Sequence, residues 1–105
     1  MTLVSSSKEI TASAERLELI SAPSIIIAAV TALSSDCSKC YGAVASGDHA
    51  GAAAAAASAI DYISLLETVR LSMGQCDVRD ELTSMMISLS STFIDLVSIA
   101  HGGDE

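Results

Sequence analysis

From Ile26 to Val44 the apolar residues Ile26, Val30, Leu33, Cys37, Cys40 and Val44 return at intervals of four, three, four, three and four. A strand alternates its faces every second residue. A helix brings i, i+3, i+4 and i+7 to one side, so this spacing demands a helix. Its narrowness marks a heptad-type seam rather than the broad face of a thick core. Asp36 and Lys39 fall outside the seam. Gly47 is placed to end this helix, and Asp48 is a good N-cap for the next.

Six consecutive alanines, Ala52 to Ala57, follow that break. They are no linker, because Ala52, Ala56, Ala59, Ile63, Leu66, Val69 and Met73 continue at the same helical spacing. A helix is expected from about His49 to Met73, with Gly74 ending it. Upstream, Ser6 and Glu9 have the capping-box spacing, followed by a stripe of Ile10, Ala14, Leu17 and Ile20. Pro23 limits that helix or restarts it, with Ser21 as N-cap placing Pro23 in a first turn. A last helix is expected after Asp77, where Asp77, Asp80 and Glu81 suit the positive helix N-terminus. Its face reads Val78, Leu82, Met85, Leu89, Phe93, Leu96 and Ala100. His101, Gly102 and Gly103 close it, leaving Asp104 and Glu105 as a tail.

With no Trp and only three aromatic residues among 105, composition supports helix over strand throughout. The expected fold is all-α. It is a single helical domain over 1–105, an antiparallel hairpin or bundle of two to four helices with its central turn at Gly47–Gly51. In a hairpin turning near Asp48, Ala56 and Ala59 come opposite Cys40 and Cys37. Such thin stripes bury little large apolar surface, so a helical protein partner is expected, either a heteromeric client or a second copy.

The net charge of −8 bears on other partners. Lys8, Arg16, Lys39, Arg70 and Arg79 form no cluster, which disfavours nucleic acid and anionic membrane surfaces. The longest uncharged run, Leu19 to Ser35, contains Pro23 and is short for a bilayer, so no membrane span is expected. Lys8, Glu9, Glu15, Arg16 and Glu18 interrupt any signal-peptide core. Three cysteines, an odd number, argue against a disulfide framework. Together these point to the cytoplasm.

Candidate sites are few. Cys37 and Cys40 spell C-x-x-C, a redox or metal pattern. Both lie on the seam inside a long helix, away from the N-terminal dipole that activates a redox thiol, which favours two small core residues. A thiol- or metal-binding helical protein using Cys37 and Cys40, with His49 and His101 at the same end, is the alternative from another class. No nucleophile elbow, P-loop, zinc-protease or dinucleotide motif occurs, so neither an enzyme nor a cofactor is expected. The expected partner-binding residues are Ile26, Val30, Leu33, Ala52, Ala56, Ile63, Leu66, Met85 and Phe93. Spacing alone does not separate an intramolecular seam from a partner-facing one.

The layout resembles the small helical proteins of type VII secretion, the WXG-type proteins and the Lap-type partners of LXG toxins. "VSSSKEITASAERL" (Val4 to Leu17) is similar to the Ser/Ala-rich start of the Lap-type group. "SGDHAGAAAAAASAI" (Ser46 to Ile60) sits where such chains turn into their second helix. Ala45-Ser46-Gly47 stands where a W-x-G would fall. No Y-x-x-x-[DE] signal occurs, since Leu66 lies four beyond Tyr62, and Asp95 follows Phe93 at two rather than four. The resemblance implies a partner or chaperone of a secreted toxin's helical domain, exported without a cleaved signal peptide if it leaves the cell. It makes Phe93 and Asp95 the nearest export-signal candidates. The layout is also similar to type III secretion chaperones, and the Gly-Asp turn before spaced alanines to a single tetratricopeptide hairpin.

Overall fold

The computed structural model describes residues 3–101, and all their regular structure is helical. Five helices, rather than two to four, run in the order α1 (Leu3–Leu19), α2 (Ser24–Ser46), α3 (His49–Ser72), α4 (Asp77–Ser88) and α5 (Ser90–Ala100). α2 packs against α1 and α3, α3 also against α4 and α5, and α1 against α4. The molecule measures 42 × 21 × 20 Å, one long helix in length and about two helices across.

The turn between α2 and α3 is built from backbone. Gly47 takes the left-handed conformation (φ 79°), its N–H donates to Val44 O at 3.2 Å, and the Asp48 N–H donates to Ala43 O at 2.8 Å. This pair of bonds satisfies carbonyls that the helix end would otherwise orphan. Asp48 then caps α3, its Oδ1 accepting the Gly51 N–H at 2.9 Å. The turn is therefore Gly47 and Asp48 alone; His49–Gly51, expected within it, already form the first turn of α3. A Cβ on Gly51 would collide with the Asp48 carboxylate.

The same device ends α1 without a glycine. Ser21 sits at φ 57°, its N–H donating to Glu18 O at 3.1 Å and the Ala22 N–H to Leu17 O at 2.9 Å. Ser21 thus ends α1 rather than capping α2, and Pro23 itself holds the N-cap position of α2 with φ −55°. Ser6 is likewise no cap. α1 starts earlier, at Leu3, and buries the Ser6 hydroxyl against that of Thr92 on α5. Met73 ends α3 in an extended conformation, so Gly74 does not serve as a left-handed stop.

The expected last helix is broken at Leu89 (φ −89°, ψ 1°), where α4 and α5 meet at a bend of 61°. Neither Gly nor Pro causes it. Serines 88, 90 and 91 surround the break, and Ser90 Oγ donates to Ile87 O at 3.0 Å, a local bond that competes with continuous helix. Past the break the inward positions are Thr92 and Leu96, not Phe93.

Two kinds of seam hold the helices. Between α1 and α2 the contacts are largely hydroxyl. Ser7 and Ser34 each donate to the other's carbonyl, at 3.2 and 2.9 Å, and Ser38 and Thr11 join them at 2.9 and 2.8 Å. Leu3, Ile10 and Leu17 bury the apolar edge of α1. Between α2 and α3 the seam is alanine against cysteine. Ala52, Ala56 and Ala59 are buried, and the Cys40 thiol donates to Ala52 O at 3.6 Å. Cys40 thus lies against the turn of α3 between Ala52 and Ala56. Ser58 donates to Asp36 Oδ2 at 2.6 Å on the flank of the same seam. Val44 and Ile20, expected on apolar stripes, are more than a third exposed.

By length and composition alone α3 is apolar enough to cross a membrane, as is the bent α4–α5 pair taken together. The uncharged run Leu19 to Ser35 is no such segment, since it spans the end of α1 and the start of α2.

Two substitutions test these contacts. Ser21→Gly is expected to raise stability by about 0.5–1 kcal/mol, because glycine pays no Cβ penalty at positive φ. The shift would appear as a few degrees in a thermal melt. Ala56→Leu is expected to cost about 1–3 kcal/mol by overpacking a fully buried position. An unchanged melt for Ala56→Leu would show that α2 and α3 do not approach closely there.

Candidate functional site

Eight of the nine residues expected to bind a partner lie inside the chain. Ile26, Val30, Leu33, Ala52, Ala56, Ile63, Leu66 and Met85 are all buried in contacts among the five helices. They form the intramolecular seams, so without separating the helices a client can reach them only at edges such as those of Ile26, Leu66 and Ile63, which line surface grooves. The ninth, Phe93, is 37% exposed. Asp95 is half-buried, and two residues along α5 it points away from Phe93, so the export-signal pair does not share a face.

Two apolar grooves flank α3, one on each side. On the α2 side a groove of about 180 Å³ is lined by Pro23, Ile25, Ile26, Ala29, Leu65, Leu66 and Val69. None of these has a polar side chain. Ile25 is 76% exposed and Leu65 is 49% exposed. On the other side a groove of about 270 Å³ lies at the α4–α5 break, lined by Ile63, Glu67, Met86, Leu89, Ser90 and Phe93. Ile87 and Ile94 are exposed on either side of that break.

Ile25 and Leu65 were legible in principle. Each directly precedes a seam residue, Ile26 and Leu66, and a helical neighbour is rotated by about 100°. Apolar doublets therefore widen the stripe beyond what one seam uses.

The thiols are arranged for packing. Burial, then the neighbouring Cys40 and Asp36, push the Cys37 thiol from its ordinary value near 9 up to about 11, and burial raises Cys40 too. Neither is poised as a thiolate nucleophile at neutral pH. Cys76 is exposed at the start of α4. Among the described residues no three His, Cys, Asp or Glu side chains converge to hold a metal, so Cys37, Cys40, His49 and His101 do not form a ligand set.

One ion pair ties α1 to α4. Arg16 Nε donates to Glu81 Oε1 at 2.9 Å, and Arg16 Nη2 donates to Ser13 Oγ at 3.1 Å. The Arg16 hydrogen bond holds the Glu81 carboxyl below its usual value of 4.5. Arg16, Glu81, Asp77 and Asp80 line a cleft there with Leu19 and Ile20.

Comparison with protein-family models, with curated proteins and with solved structures finds no match to this chain.

Two measurements follow from the titratable groups. In the native protein a thiol reagent should label Cys76 rapidly, with Cys37 and Cys40 reacting only after denaturation. Because the Cys37 pKa is raised on folding, its contribution is complete below pH 9 and lost as pH rises through about 11. Stability should fall in that window. Glu81 behaves oppositely. Its lowered pKa contributes stability above pH 4.5 that disappears as pH falls through the lowered value. Glu81→Gln should flatten that acid limb, and salt should weaken the wild-type effect because Arg16 is half exposed.

Proposed function

We propose that this chain is a non-enzymatic helical interaction protein, a secretion-associated partner or chaperone for the helical domain of a client, with a type VII secreted toxin as the client class. The observation that carries the reading is the groove between α2 and α3, seven residues without a polar side chain and with Ile25 and Leu65 open to solvent. An apolar groove between two helices is the geometry into which a third helix lays its anchors. The second groove, at the α4–α5 break, carries Met86 and Phe93, a flexible thioether and an aromatic ring that suit an adaptable contact.

The helix arrangement supports such a role. We read it as an antiparallel bundle with α1, α2 and α3 as three corners and the bent α4–α5 pair as the fourth. The Arg16–Glu81 and Ser6–Thr92 contacts close α1 onto that fourth corner. With its own seams occupied, the protein offers outer grooves rather than its interior to a client.

Native mass measurement of the protein alone, and mixed with the proteins encoded beside it, tests the reading. A stoichiometric complex with a helical partner is the expected result, and Cys37→Ala/Cys40→Ala should retain it. A monomer that binds none of those partners would overturn it.

A further inference from the structure

We infer that the α2–α3 groove receives a basic amphipathic helix from a different protein, its apolar side chains over Ile25, Ala29, Leu65 and Val69 and its Lys or Arg side chains over Asp36 and Asp61. This rests on the reading of the chain as an interaction protein and names the chemistry of the partner.

The groove sets the apolar half of the requirement. About 180 Å³ bounded only by aliphatic side chains holds one or two apolar anchors and offers nothing to a polar one. One such anchor does not hold a complex by itself, so several successive contacts are needed, which a helix supplies at i, i+4 and i+7.

The charges set the other half. Asp61 lies one helical turn before Leu65 on α3 and is exposed; Asp36 lies two turns beyond Ala29 on α2. The Ser58–Asp36 hydrogen bond shows that these turns of α2 and α3 are adjacent. The track continuing from the groove therefore carries two carboxylates, with Lys39 as the basic residue one turn further on α2. A second copy of this chain, at −8, would bring carboxylates to carboxylates, and an anionic lipid surface would meet the same repulsion. A helix with basic flanks meets complementary charge.

The probe is a synthetic amphipathic peptide with Leu at i, i+4 and i+7 and Lys on both flanks, titrated into the full-length protein with its Ile and Leu methyl groups observed by NMR. Saturable shifts at Ile25 and Leu65 are expected. Replacing the flanking Lys by Glu, or Asp61 together with Asp36 by Asn, should weaken binding at least tenfold. Leu65→Ser should do the same with little change in the thermal melt, since Leu65 is half exposed.

Equal binding of the Lys and Glu peptides would overturn the charge assignment. Shifts confined to Ile63 and Leu89, in the groove at the α4–α5 break, would sink this groove while leaving the interaction reading intact. Absence of binding, concentration-dependent dimerisation that buries Ile25, or stronger binding to phosphatidylglycerol vesicles than to the peptide would each overturn the inference.

Discussion

The close approach of α2 and α3 is the contact on which the other packing depends. An alanine presents one methyl group, so Ala52, Ala56 and Ala59 let the backbone of α3 come near enough for the Cys40 thiol to reach the Ala52 carbonyl. Dispersion falls steeply with distance, and many short contacts replace the few large ones that a Leu-rich interface would make. Because α3 also packs against α4 and α5, its placement by α2 sets where the last two helices can go. Gly47 and Asp48 fix the entry into that hairpin with their own N–H groups and the Asp48 carboxylate already hydrogen-bonded.

Small polar residues do the same on the other side. Ser7, Ser34, Ser38 and Thr11 pack α1 onto α2 through hydroxyls whose partners are one another or backbone carbonyls. Each group removed from water finds a replacement bond, so the seam avoids the cost of orphaned polar atoms. The molecule is consequently narrow, and its larger aliphatic side chains are not all needed inside. Ile25, Leu65, Ile87 and Ile94 are left on the outside for that reason.

Much of the fold was legible because a seam of three-and-four spacing has one structural meaning. The α2 positions from Ile26 to Cys40 and the α3 positions from Ala52 to Leu66 lie where their periodicity puts them. Three misreadings share a cause: a serine carries several competing local roles. Ser6 has the spacing of a cap yet is buried within α1. Ser21 resembles a cap yet ends a helix in the left-handed region. The helix expected to run unbroken after Asp77 was misread for the same reason, since the Ser90 hydroxyl takes the Ile87 carbonyl at its break. Tertiary contacts chose among those roles, and a single residue's type does not. The site was less legible still. A stripe says which residues share a side of a helix, but not whether that side meets its own chain or another. Eight residues turned inward, while their immediate neighbours Ile25 and Leu65 carry the open groove.

The alanine–cysteine seam also determines which positions tolerate change. In a core of large side chains, truncation is the hazard and the neighbours can partly collapse into the gap. Here the hazard is enlargement, since Ala52, Ala56 and Ala59 are buried and an added methylene finds no free space. The residues with the least side chain therefore carry the most restriction. The exposed isoleucines and leucines outside the seam, such as Ile25, Leu65, Ile87 and Ile94, are the ones free to be exchanged without disturbing it.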